Sequence, residues 1–160
     1  MPDQNIEVLK KETYMKMLEN SIGSTMFNSV FVRYKDSGMT KDILNNGEFS
    51  CAFFVSSILA IQNLIDRPHT TVATVRSKLI EAGWKKVTVP AEAGDVIVWD
   101  KQIQTGTENE HIGIASSESE AISTSFRERK VARHHITFGN DPSGKSMRKI
   151  TGIFRWGTSM

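Results

Sequence analysis

The sequence predicts an α+β fold, with helices from the N-terminal half packed on an antiparallel sheet built from the C-terminal half. Two observations carry this expectation. Up to Gly83 the apolar residues recur at helical spacing, whereas after Trp84 they fall in short runs rich in β-branched and aromatic residues, separated by turn signals. With 160 residues the chain is long enough to bury one core without metal or disulfide support. We read residues 1–160 as a single domain, with residues 1–23 as an N-terminal helical extension.

Taken in order, residues 3–20 space Ile6, Leu9 and Met17, with some of Val8, Met15 and Leu18, as one face of a helix ending near Gly23. Met26–Tyr34 is rich in Phe and Val, consistent with a strand or a short helix, and Asp36–Gly47 carries the turn chemistry of a loop. Ser50 is a suitable N-cap for a helix apolar nearly all round, with Phe54, Val55, Ile58, Ile61, Leu64 and Ile65, that stops at Asp66-Arg67-Pro68. A second helix sets Val72, Val75, Leu79 and Ile80 on one side and stops at Gly83. Strands are expected at Lys85–Val89, Asp95–Asp100, His111–Ser116, Glu120–Ser125, Val131–Phe138 and Lys149–Trp156, with a turn at Asn140–Lys145.

Composition narrows the function. Twenty basic and 18 acidic residues leave a net charge of +2, which gives no field for nucleic acid or an anionic membrane surface. Arg127, Arg129, Lys130 and Arg133 cluster, which reads as a solvated face. The single cysteine rules out an intrachain disulfide and multi-cysteine metal sites. No His or carboxylate cluster has ligand spacing, so neither metal nor other cofactor is expected, and GNDPSGKS lacks phosphate-loop spacing. The N-terminus lacks a signal-peptide pattern and no apolar run is long enough for a membrane span. The expectation is therefore a monomer in the cytoplasm, unless a leaderless route exports it.

The chemistry gathers on Cys51 and His111. A cysteine in the first turn of a helix meets the positive end of the helix dipole and free amide N–H groups, which lower a thiol pKa and can hold an oxyanion. A lone cysteine is also commonly a small buried apolar residue. His111 opens the apolar run His-Ile-Gly-Ile-Ala after a polar loop, TGTENE. At a strand mouth facing a helix N-terminus, an imidazole can take a thiol proton and return it to a leaving amine. His134, His135 and His69 compete for this role. The adjacent pair must point to opposite faces of a strand, so at most one of them lines the same site. His69 follows Pro68 in a helix–helix turn, where capping is the simpler role.

SCAFFVSSIL, GDVIVWD, EHIGIA and EAISTS, in that order across residues 46–126, resemble the signature of the NlpC/P60 cysteine peptidases, a papain-like family related to the CHAP amidases. The resemblance implies a nucleophile at Cys51 and a general base at His111. It also implies a strand entry shaped by Gly94 and Asp95, and close packing at Gly113 behind the histidine. The family's orienting residue, usually His, Asn or Gln, falls near Ser123. Ser123, Thr124 and Ser125 stand there instead, a departure that weakens charge stabilisation of the imidazole. Tyr34 is the one nearby tyrosine upstream of the nucleophile, at a poorly aligned position.

Trp99, Asp42 and Ser50 are the candidate substrate contacts, although core packing suits Trp99 and loop capping suits Asp42. Arg127, Arg129 and Arg133 are candidate receivers of a substrate carboxylate. The implied activity is hydrolysis of an amide bond in a peptide or peptidoglycan fragment through an acyl-enzyme. Two alternatives stay open: a degenerate module that binds cell-wall peptide or a protein partner, and acyl transfer to an amine or alcohol.

Overall fold

The computed structural model describes residues 5–157. Three helices, α1 (Lys10–Asn20), α2 (Cys51–Ile61) and α3 (Val72–Glu81), precede the main sheet, and a short antiparallel hairpin of β1 (Phe31–Arg33) and β2 (Thr40–Asp42) lies between α1 and α2. The sheet is formed by β3 (Lys85–Val87), β4 (Val96–Gln104), β5 (Thr107–Ala115), β6 (Glu120–Ser125), β7 (Lys130–His135) and β8 (Ile150–Arg155). Its order is β3-β8-β4-β5-β6-β7, and every pair is antiparallel. The class is α+β, with the helices ahead of the sheet in sequence. No described helix is long and apolar enough to cross a membrane.

Strand alternation divides the core in two. Val96, Val98, Ile112, Ile114, Ile122, Val131 and Phe154 pack with Phe54, Val55, Ile58 and Leu59 of α2. The intervening residues Ile97, Trp99, Ala115 and Ala121 form a second cluster with Ala91 and Ile136 on the other face. The residue opposite Trp99 is His111, and the two rings pack side by side.

Several boundaries move for physical reasons. The first helix begins at Lys10, and Ile6, Val8 and Leu9 are exposed. Its phase is set instead by Tyr14 and Leu18, both fully buried one turn apart, and the Tyr14 hydroxyl donates to the Gly94 carbonyl at 3.1 Å. Helix α1 therefore contributes Tyr14 and Leu18 to the core. Helix α2 ends at Ile61, which is exposed. Asn63, at φ 55°, turns the chain so that Leu64 and Ile65 are buried from outside the helix. Ile80 on α3 is likewise exposed. Thr40–Asp42, read as loop, pairs with Phe31–Arg33. The last strand of the sheet edge ends at His135, and Phe138 has φ 60°.

The largest revision concerns TGTENE. Only Thr105 and Gly106, at φ 47° and 81°, form the turn, the two-residue reversal whose twist matches paired strands. Thr107–Glu110 already belong to β5, so His111 lies inside a nine-residue strand and not at its mouth. Across from it the β4–β5 register slips between Trp99 and Gln102: Asp100 and Lys101 bulge opposite Glu110.

Asp95, 3% exposed, enters β4 with its carboxylate accepting from Arg155 Nε and Nη2 and from the Glu92 amide, at 2.7–3.3 Å. Asp95→Ala removes the acceptor of the Glu92 amide and of Arg155 Nε, while Nη2 keeps the Pro90 carbonyl and Nη1 keeps Glu92, and chemical denaturation should show a loss of about 1–3 kcal/mol.

Candidate active site

The approach to Cys51 is a tightly determined loop. Asn45 and Asn46 occupy left-handed backbone at φ 48° and 51°, and a Cβ on Gly47 (φ 92°) would sit 2.7 Å from the Asn28 side chain. Asp42 holds this loop: its carboxylate accepts from the amides of Val30, Leu44 and Asn46 and from Ser29 Oγ, at 2.8–3.1 Å. Burial opposes its ionisation, but those hydrogen bonds keep the carboxyl below its usual range. Glu48 accepts from Asn45 Nδ2 and from Thr105 Oγ1, which ties the loop to the β4–β5 turn. Arg129 donates to the carbonyls of Asn45 and Asn46.

Cys51 is the first residue of α2 and is half-buried. Ser50 occupies the N-cap position, yet its backbone is already helical and its hydroxyl donates backward to the Gly47 carbonyl at 3.2 Å instead of capping. The N-terminus of α2 meets the sheet where β5 and β6 part. These strands pair only at Ile114↔Ile122 and Ala115↔Ala121. Toward His111 and Thr124 they separate, and Cys51 lies against the Ile112 backbone, whose amide addresses the sulfur together with that of Ala52. Cys51 and His111 both line one cavity of about 270 Å³, with Glu48, Thr71, Lys101 and Glu110 around it.

His111 is 8% exposed. Its Nε2 lies 2.9 Å from Ser123 Oγ on β6, and that bond spans the gap between the two strands. Ser123 Oγ lies a further 2.8 Å from His134 Nε2 on β7. Trp99 packs beside the His111 ring at 5.4 Å between centroids. Gly113 is required here, since a Cβ would meet Ser123 Cβ and the Ile122 carbonyl at 2.9 Å. No hydrogen bond joins Cys51 to His111 directly; they share the cavity, and His111 Nδ1 has no partner among the described residues.

The electrostatics differ from the expected low-pKa thiol. Burial raises the Cys51 thiol, outweighing the amides of Ile112 and Ala52 and the Arg148 charge, all of which favour thiolate. Burial also pushes the His111 imidazole well below its usual value, with Arg148 and then His134 adding to the effect. Both shifts favour the uncharged forms, thiol and neutral imidazole. Arg148, 6% exposed, was not singled out from the sequence. Its guanidinium donates to the carbonyls of Asp100 and Asn109 at 3.0–3.2 Å, and so braces the β4–β5 bulge beside the pair. Nothing local in SMRKI marks that role, because it depends on where the bulge lies.

The structure brings Cys51, His111 and Ser123 together and leaves the other candidates elsewhere. Trp99 is fully buried with its indole N–H on the Ile136 carbonyl at 2.7 Å, so it supports His111 from the core and does not line the cavity. Asp42 is the loop staple, and Ser50 is 1% exposed and turned to Gly47. Neither lines the cavity. Tyr34 lies on the distant hairpin turn, and His69 Nε2 pairs with Asp66 at 2.9 Å. His135 meets Thr137. Arg133 pairs with Glu19 and Glu120, which leaves Arg127, stacked near Phe126, as the arginine of the three without a hydrogen-bonded partner among the described residues. Among those residues no three His, Cys, Asp or Glu side chains are grouped to hold a metal ion.

Replacing Arg148 by Gln keeps an amide donor for the bulge and removes the positive charge. An NMR titration should then find the His111 imidazole protonating at higher pH than in the wild type. No family model and no curated protein sequence matches the chain.

Proposed function

We propose that the chain is a papain-like cysteine hydrolase of the NlpC/P60 kind, cleaving an amide bond through an acyl-enzyme. The observation that carries this reading is the meeting of Cys51, at the first turn of α2, with His111 on one cavity, while Ser123 holds the far nitrogen of the imidazole. Because the resting pair is neutral, the thiol proton passes to His111 Nδ1 as the sulfur attacks the substrate carbonyl. The unpaired amides of the first turn of α2 are suited to stabilise the resulting oxyanion. The imidazolium then protonates the leaving amine, and neutral again it activates water for hydrolysis of the thioester. The substrate class follows from the resemblance: a peptide or peptidoglycan stem fragment.

The second reading is a binding module that has kept the fold and lost turnover. What favours it is the raised thiol and the absence of a direct Cys51–His111 hydrogen bond.

Mass spectrometry of peptidoglycan fragments separates the two. Wild type should release new fragments, whereas Cys51→Ala should release none and His111→Ala should lose activity by about 10³-fold or more, since the pair acts as a unit. Wild type without products across stem-peptide and stem–glycan amides would exclude the peptidoglycan hydrolase.

The pH profile follows from the two shifts. The base is active when neutral and its pKa is depressed, so the acid limb of kcat/KM should fall below the ordinary imidazole value of about 6.5. Direct alkylation of Cys51 by iodoacetamide needs thiolate, whose pKa is raised. Its rate should be slow near neutrality and climb past the ordinary thiol value of about 8.5. A pH-independent plateau of fast alkylation down to about pH 6 would instead indicate a preformed thiolate–imidazolium pair.

A further inference from the structure

The third site residue is a serine, and its hydroxyl is engaged twice. Ser123 Oγ sits between two imidazoles, 2.9 Å from His111 Nε2 and 2.8 Å from His134 Nε2. The far side of the His134 ring is fixed as well, because Nδ1 lies 2.7 Å from the His135 backbone carbonyl. A carbonyl oxygen only accepts, so His134 Nδ1 carries a proton, and in a neutral ring Nε2 is then a bare acceptor. The one hydrogen of the Ser123 hydroxyl must point at that acceptor. The oxygen is left to accept from His111, which places a proton on His111 Nε2 and a lone pair on Nδ1. The His134 ring is itself clamped, stacked on Phe138 at 3.9 Å and 14° and set against Trp99 at 5.5 Å.

We infer that His134 is a positioning residue for His111, acting through Ser123 along a one-way chain from His111 Nε2–H to Ser123 Oγ–H to His134 Nε2 that is anchored on the His135 carbonyl. The inference rests on the reading of Cys51 and His111 as the reacting pair. A serine alone gives or takes a hydrogen bond equally well and so leaves the tautomer of its partner open. A serine whose proton is committed to a second histidine does not. His134 therefore supplies, from one strand further out, the direction that Ser123 by itself lacks. Burial keeps both rings neutral near pH 7, the state in which the chain holds. When His111 takes the thiol proton, the same chain donates no charge but keeps the ring oriented for its return to the leaving group. His134 is not a second base, since its Nε2 faces Ser123 and no cysteine.

The test uses the full chain with three substitutions. His134→Phe keeps a flat ring on Phe138 and removes the acceptor, His134→Gln offers an amide oxygen near the Nε2 position, and Ser123→Ala removes the link. Nitrogen-15 NMR should find wild-type His111 protonated on Nε2, and should find a mixture of tautomers in His134→Phe. With a cleavable stem peptide, His134→Phe should lower kcat by about 10- to 100-fold with little change in KM, as is common when a residue that orients a reacting group is lost. His134→Gln should recover most of that loss. The Ser123→Ala/His134→Phe double variant should be no worse than either single one, because both break one chain.

The inference is overturned if wild-type His111 carries its proton on Nδ1, if Phe and Gln at 134 are equally damaging, or if the double variant loses activity additively. Failure of the hydrolase reading shows separately, as turnover that survives Cys51→Ala, and leaves the tautomer measurement to decide the chain.

Discussion

The site depends on the parting of β5 and β6. Had these strands stayed paired along their length, the sheet would have closed over Ile112 and offered the α2 N-terminus a flat apolar surface. Because they are joined at only two residue pairs, Cys51 reaches the backbone beside His111, and a side-chain bond from His111 to Ser123 replaces the missing ladder. Backbone groups freed from a sheet need partners. Here the Cys51 thiol takes the Ile112 amide, so the opening in the sheet and the chemistry are one feature.

Around that opening the chain is braced from several directions. Arg148 holds the bulge in β4 through the carbonyls of Asp100 and Asn109, and Glu48 joins the loop before Cys51 to the turn between β4 and β5. Asp42 and Arg129 fix the same loop from its other side. Four separate segments thus set the position of one helix end relative to one strand. Such over-determination is what allows three left-handed residues in succession, at Asn45, Asn46 and Gly47, to persist. Burial then sets the protonation states. Both members of the pair are more easily kept neutral than charged, and the hydrogen-bond chain behind His111 is of the kind that neutral groups make.

The elements whose bounds depart from the local pattern share one cause. Ile6 and Leu9 match the period of α1, yet the helix begins at Lys10 and both residues are exposed. The residues that bury it are Tyr14 and Leu18, selected by a hydrogen bond to Gly94 eighty residues away. Thr107–Glu110 look like loop because they are polar. They form a strand because Thr105 and Gly106 adopt the paired left-handed turn that brings β4 back on itself. Trp99 invited a role in a groove, and the pleat sends it to the far face of the sheet, under the histidine.

The sequence by itself determined the α+β class, the order of helices before strands, and the position of Cys51 at a helix start. These follow from period and turn residues, properties of neighbouring residues, whereas the expectation that His111 and Ser123 join Cys51 came from the family resemblance. Tertiary structure alone decided which face His111 occupies, the raised thiol and lowered imidazole, the bracing by Arg148, and the link from Ser123 to His134. Each of these depends on strand register and on burial, and a register is fixed by contacts between segments far apart in the chain. A shift of a single residue in β7 would turn His134 to the opposite face, and no local pattern in the sequence records which register the sheet adopts.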